Sequence, residues 1–340
     1  MTCGGTSSSS SVDETERSRM LGGPLTSSQI QQYAREGYVV TESFVLPEQL
    51  EPLRAATARA TQRARAGAWP HGIRTAASPF PPYNQDASND VWGVNLLIHP
   101  DMGEDAFLSW YGSDIVLDSC AQLLQVARAD LQLGQCNLLV NPLYTEFGLA
   151  WHRDMVPATT TAAEEAAALA EGAREQTGVQ WNTALFEDAC FVFVPSTHAR
   201  VRTALEREAT TRKEASMAPL PGQVVLTLQP GQTVVYNPNL LHRADYSPAA
   251  VRATLHCSVC RGAEHGGELR AAGMAHVLGR DKLGWIHSEA FARSLAPHAG
   301  VRSMHAELLR SLQKAEADGL FASEDQREHE RVVAYQAVVT

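Results

Sequence analysis

The chain has 340 residues, 44% of them hydrophobic, enough for one large β-rich domain with helical additions or for two ordinary ones. A formal charge of −10 argues against a nucleic-acid-binding surface. No apolar run approaches the ~20 residues that a bilayer-spanning helix needs, so no membrane span is expected.

Residues 1–23 include a Ser run and lack the basic start and apolar centre of a secretory signal, so they read as a disordered tail. The C-terminal Ala337-Val-Val-Thr340 is no peroxisomal address, which leaves the cytoplasm as the default location. Thr26 or Ser27 can cap a helix with Ile30, Tyr33 and Ala34 on its apolar face, and Gly37 ends it. Tyr38 to Thr41 reads as a strand, and Pro47 opens a second helix running towards Arg65 with a solvated Arg-rich face. Residues 67–89 form a long Pro-, Ala- and Ser-rich loop in which Phe80 and Tyr83 are candidates for substrate contact. Trp92 to Ile98 is an apolar strand, with His99 a turn or structural residue, and residues 104–127 read as helical. Leu131 to Val140 alternates towards a strand containing Asn137.

After Pro157, Thr and Ala-Glu-rich residues predict a short polar helix inside an insertion spanning 158–178. Placed there, it is either a lid over a pocket or an inert surface excursion. Val179 to Leu185, containing Trp181, and Phe191 to Val194 are core strands, and 201–217 is a charged, helix-like insertion. Residues 223–236, with Gln229-Pro-Gly231 at the bend, predict a hairpin. Beyond Arg261 the texture turns helical, so the chain divides into a tail (1–23), a β-rich domain (24–261) and a helical extension packed on it (262–340). The Cys residues at 3, 120, 136, 190, 257 and 260 read as free thiols in a reducing compartment. Cys257 and Cys260, three apart on a strand, face opposite sides about 10 Å apart, too far for a disulfide, and no second pair completes a zinc site.

The chemistry concentrates at Gly148-Leu-Ala-Trp-His152-Arg-Asp154-Met-Val-Pro157. In an extended strand, positions two apart share a face, so His152 and Asp154 present an imidazole and a carboxylate together, with Arg153 turned away. They are two thirds of the 2-His-1-carboxylate face that holds a non-heme Fe(II) and leaves positions open. With 12 His in the chain, a His-x-Asp triplet arises by chance roughly once at Asp usage of ~5%. The weight therefore rests on the downstream residues: an apolar strand, a Pro turn, His242, and Arg252 ten residues on.

With those residues in place, the chain resembles the phytanoyl-CoA dioxygenase family of Fe(II)/2-oxoglutarate oxygenases. Further likeness lies in the opening run Leu25 to Leu53 and in Trp181 to His198, and it covers about residues 25–260. Pro195-Ser-Thr-His198 departs from the family's usual Pro-Gly-Ser-His, in a turn. The resemblance implies a mainly β fold with flanking helices around a double-stranded β-helix (jelly-roll, cupin-like) core. It implies His152, Asp154 and His242 as iron ligands and Arg252 on the distal carboxylate of 2-oxoglutarate, with Arg243 as the competing anchor. Trp181 is read as lining the 2-oxoglutarate pocket or as core packing, and Asn137 as a cofactor contact or as a side chain satisfying nearby backbone. The implied reaction consumes O2 and 2-oxoglutarate, releases succinate and CO2, and oxidises a small molecule. Halogenating relatives have a small residue where Asp154 stands, so hydroxylation is the implied outcome. Two other readings stay open: a cupin-like metal-dependent hydrolase or isomerase, and a non-catalytic barrel.

Overall fold

In the computed structural model, residues 24–321 are described except 43, 77–85, 87–89, 175–177 and 279. The N-terminal tail, Phe80 and Tyr83 lie outside that set. Helix α1 (Ser27–Glu36) starts at Thr26, whose side chain accepts from Gln29 N–H while the Gln29 side chain accepts from Thr26 N–H. It stops at Gly37, where φ is +81° and a Cβ would stand 2.4 Å from His198 Nδ1, so only glycine fits. Strand β1 (Tyr38–Thr41) follows, and Pro47 opens α2 (Pro47–Arg65). Two short strands, β2 (Ile73–Thr75) and β3 (Val91–Val94), come next; the apolar run 92–98 leaves the strand early, with Leu96 at φ +62°. The region 104–127 that reads as helical holds two helices, α3 (Asp105–Tyr111) and α4 (Asp114–Leu124). The break falls at Gly112, where a Cβ would meet Val301 Cγ2 at 2.5 Å, because a C-terminal helix docks there.

The remaining strands are β4 (Leu131–Val140), β5 (Phe147–His152), β6 (Gly178–Ala184), β7 (Asp188–Val194), β8 (Val224–Leu228), β9 (Thr233–Tyr236), β10 (Leu241–Tyr246) and β11 (Ala253–Arg261). All pairings are antiparallel, in a seven-stranded sheet ordered β1-β9-β6-β11-β4-β3-β2 and a four-stranded sheet ordered β5-β10-β7-β8. This is the double-stranded β-helix. The hairpin expected over 223–236 does not form: β8 pairs with β7 in the small sheet, whereas β9 pairs with β1 and β6 in the large one. The Gln229-Pro-Gly231 bend carries the chain between sheets, and the Gly231 N–H donates to Ala184 O.

Strand alternation sorts the side chains into layers. The outer face of the large sheet supplies Trp181, Leu255, Cys257 and Leu138 to the main core, where the N-terminal helices cover it together with α8 (Glu289–Ser294) and α9 (Ala299–Ala317). Between the sheets lie two smaller apolar groups, one around Phe191, Phe193, Val234 and Tyr236, the other around Trp92, Leu139, Leu149 and Tyr246. The outer face of the small sheet presents Trp151, Val192, Val194 and Leu241 to Ala209 of the 201–217 insertion, which contains α6 (Ala204–Thr211), and to Leu220 just beyond it. The insertion after Pro157 contains α5 (Ala162–Arg174), and α7 (Gly267–Leu278) opens the C-terminal extension. Among the described residues, no helix is long and apolar enough to cross a membrane.

Candidate metal centre

His152 ends β5 and His242 is the second residue of β10, and the two are direct register partners. From this pair, two steps along β10 to Ala244 correspond to three along β5 to Leu149, so β5 carries a bulge. The extra residue puts Leu149 and His152 on the same inner face, which strict alternation forbids. Asp154 lies just beyond β5, held by its N–H to Pro238 O at 3.0 Å. Its carboxylate oxygens lie 3.6 Å from His152 Nε2 and 3.8 Å from His242 Nε2. Both imidazoles are oriented through the other nitrogen, as Nδ1–H of His152 donates to Ala150 O at 2.7 Å and that of His242 to Leu240 O at 2.8 Å. That leaves both Nε2 lone pairs facing the carboxylate, the arrangement that a metal-binding histidine needs. Burial, with His242 nearby, pushes His152 down to about 4, so its imidazole is neutral at physiological pH. Burial alone would raise Asp154, but the two facing imidazoles and the Gln180 amide, which donates to Oδ2, outweigh it and hold the carboxyl below its usual range.

The triad lines one side of a cavity of about 70 Å³ whose walls include Arg252, Tyr246, Asn182, His256 and Arg74. Arg252 immediately precedes β11, and its guanidinium is buried over the Tyr246 ring. Its Nε donates to Asp188 Oδ2 at 2.9 Å, while Nη1 is buried without a hydrogen-bond partner. A buried orphan donor beside a metal site suits a carboxylate ligand. Burial works against Asp188 ionising, yet Arg252, the Thr254 hydroxyl and Cys190 N–H hold its carboxyl at about 2. The rival anchor, Arg243, points to the opposite face of β10, over Trp151 and paired with Asp245.

Two residues expected at the cofactor lie elsewhere. Trp181 is fully buried on the outer face of β6, packed on Tyr111, Phe44 and Trp110, and its neighbour Asn182 faces the cavity instead. Asn137 is on the inner side of β4, but its Oδ1 accepts from Leu96 N–H at 3.0 Å and its Nδ2 donates to Gln135 Oε1 at 2.9 Å. It satisfies local groups and is absent from the cavity wall. Conversely, sequence reasoning misses Gln180, Asp188, His256 and Arg74. Of these only Asp188 carries a signal, as an acid at the head of an apolar strand.

A second cluster brings His71, His99 and Asp101 together. There the imidazoles stack face to face at 3.6 Å, His99 Nδ1 accepts Asp101 N–H at 3.1 Å, and His71 Nε2 bonds Asp101 at 2.7 Å. Parallel rings aim their lone pairs side by side rather than at one point, and one lone pair is already used. Among the described residues, only the His152–Asp154–His242 group has the convergence of a metal centre.

A jelly roll with a 2-His-1-carboxylate face open to an internal cavity defines a mononuclear metalloprotein of the non-heme iron type. The family profile described as Phytanoyl-CoA dioxygenase (PhyH) matches residues 33–249, and the chain belongs to that family. No curated protein sequence matches the chain. Among solved structures it is similar to AviO1 from Streptomyces viridochromogenes Tue57 at 14% identity, covering 70% of this chain and 96% of that one with a TM-score of 0.49. It is similar also to EctD from S. alaskensis, solved with 2-oxoglutarate and 5-hydroxyectoine, at 16% identity, 72% and 78% coverage and a TM-score of 0.49. A third is the epimerase SnoN, in complex with Fe3+, alpha ketoglutarate and nogalamycin RO, at 15% identity, 69% and 83% coverage and a TM-score of 0.47.

Proposed function

We propose that the protein is an Fe(II)- and 2-oxoglutarate-dependent dioxygenase that hydroxylates a small organic molecule. The observation that carries this reading is the placement of a buried Arg252, with a free Nη1 donor, in the same cavity wall as the convergent His152, Asp154 and His242. The three side chains would hold iron, and Arg252 would take the distal carboxylate of 2-oxoglutarate bidentately. Bound iron with that cosubstrate supplies a two-electron oxidation in which RH, O2 and 2-oxoglutarate become ROH, succinate and CO2. The chain's own part is to orient and shield. His152 and His242 are oriented by their backbone bonds, Gln180 fixes the rotamer of Asp154, and Leu149, Phe191 and Ala244 form the apolar part of the cavity wall. Asp154 supplies the carboxylate ligand, which favours hydroxyl over halide transfer.

The test is turnover by purified Fe(II)-loaded protein in chloride buffer under ¹⁸O2, with a metabolite mixture as substrate source. One succinate per 2-oxoglutarate, carrying label, is expected together with depletion of a metabolite. A chlorinated product, or depletion that continues without 2-oxoglutarate, would overturn the reading.

A further inference from the structure

Asp154 sits where the small sheet has ended, so ladder hydrogen bonds do not fix it. Besides the Asp154 N–H bond to Pro238 O and the Gln180 amide on its carboxylate, the segment is held by Arg153, the residue between two proposed metal ligands. Its side chain points away from the cavity and is fully buried. Nη2 donates to Thr197 O at 2.7 Å and Arg200 O at 2.8 Å, and Nη1 lies 3.1 Å from Glu165 of α5. Glu165 is itself fully buried and also pairs with Arg202 at 2.8 Å and Arg207 at 2.7 Å. Those two arginines donate onward to Pro157 O at 3.1 Å and Thr160 O at 2.7 Å. The whole stretch from Arg153 to Thr160 is thus pinned to both insertions.

Burying such charges is a poor way to gain stability, since well-packed apolar residues commonly do as well or better. What an ion cluster supplies is a unique geometry, and a metal site depends on donor placement to within about 0.5 Å. We infer that Arg153 and Glu165 are positioning residues that clamp the Asp154 segment and thereby set how tightly the His152–Asp154–His242 group holds a divalent cation. This rests on the iron site proposed above.

The experiment uses Co(II), whose visible absorption reports ligand geometry, titrated into the full chain. The double variant Arg153→Met/Glu165→Leu replaces the pair by apolar side chains of similar length. Because Arg202 then lacks its buried carboxylate, the variant is expected to melt lower than wild type while still unfolding cooperatively, and to bind Co(II) at least tenfold more weakly, with an altered spectrum. Arg153→Lys keeps the charge but loses the fork, and should fall between. Equal affinity and an unchanged spectrum in the double variant would overturn the inference. The wild-type chain gives a readout that needs no folded variant. Coupling is reciprocal, so Co(II) should slow backbone hydrogen exchange in α5 as well as in β5 and β10, and should do so in wild type but not in His242→Ala. Protection confined to β5 and β10 would overturn the clamp and leave the metal site standing. Co(II) binding that survives in His242→Ala would overturn both.

Discussion

Arg252 and Asp188 form the contact on which the proposed 2-oxoglutarate binding turns. The pair is buried on both sides, with 3% and 5% exposure, so removing one partner strands the other. Arg252→Ala is expected to weaken 2-oxoglutarate binding at least a hundredfold in calorimetric titration while iron still binds, and to lower the melting temperature because Asp188 is left uncompensated. Arg252→Ala/Asp188→Ala should recover melting temperature but not binding. Arg243→Ala, on the far face of β10, should leave binding unchanged. Asp188 also sets an acid limit. Its native carboxyl is held at about 2, below the ~3.9 of an unfolded chain, so its contribution is complete above pH ~4 and vanishes as pH falls towards 2. That contribution is on the order of 2 kcal/mol, and denaturant midpoints between pH 5 and 2.5 should show the decline. The candidate metal triad is legible in the sequence because coordination chemistry sets its residue types and the family resemblance supplies their order. Asp188 is not, because its partner is 64 residues away and only strand register brings them together. Trp181 falls on the other side from the one expected because sequence does not show which face of a strand turns inward.

At the level of elements, the caps and turns are readable and the sheet assignments are not. Thr26 and Gly37 bound α1 for local reasons that the sequence spells out. Whether the chain after Gln229-Pro-Gly231 returns to its own sheet or crosses to the other depends on partners far along the chain, and the bulge at β5 is equally non-local. Sequence leaves helix α5 as a lid or a surface excursion, and the structure shows its first turns tied behind the metal strand by Glu165. Opening it would break three ion pairs. Limited proteolysis should therefore leave residues 162–170 uncut before any ligand is added, and Glu165→Ala should expose them. Helix α6 tests the neighbouring insertion: Thr203 and Glu206 form a reciprocal capping box, and Thr203→Ala should cost about 1 kcal/mol in urea denaturation.

For the molecule as a whole, the family match ends at residue 249, but the main core does not. Val301, Met304 and Leu308 of α9 are buried against the large sheet, and Glu307 accepts from Ala263 N–H at 2.9 Å. Each such apolar side chain contributes about 1.5–3 kcal/mol, so a chain cut after Gly262 should lose cooperative unfolding, while the full chain should melt in one transition by circular dichroism and tryptophan fluorescence. The small sheet raises a different matter. Its edge strand, β5, carries His152 and leads directly into Asp154, while its inner neighbour, β10, carries His242. Across the free side of β5, the Trp151 N–H is taken by Ser216 O. A cation bound to all three ligands therefore rivets an edge strand to the sheet, and stripping the metal loosens a backbone that can template pairing with another chain. Iron supply would then govern shelf life as well as turnover: chelated protein held at 37 °C should scatter light sooner than loaded protein, and His242→Ala should do so whether or not metal is present.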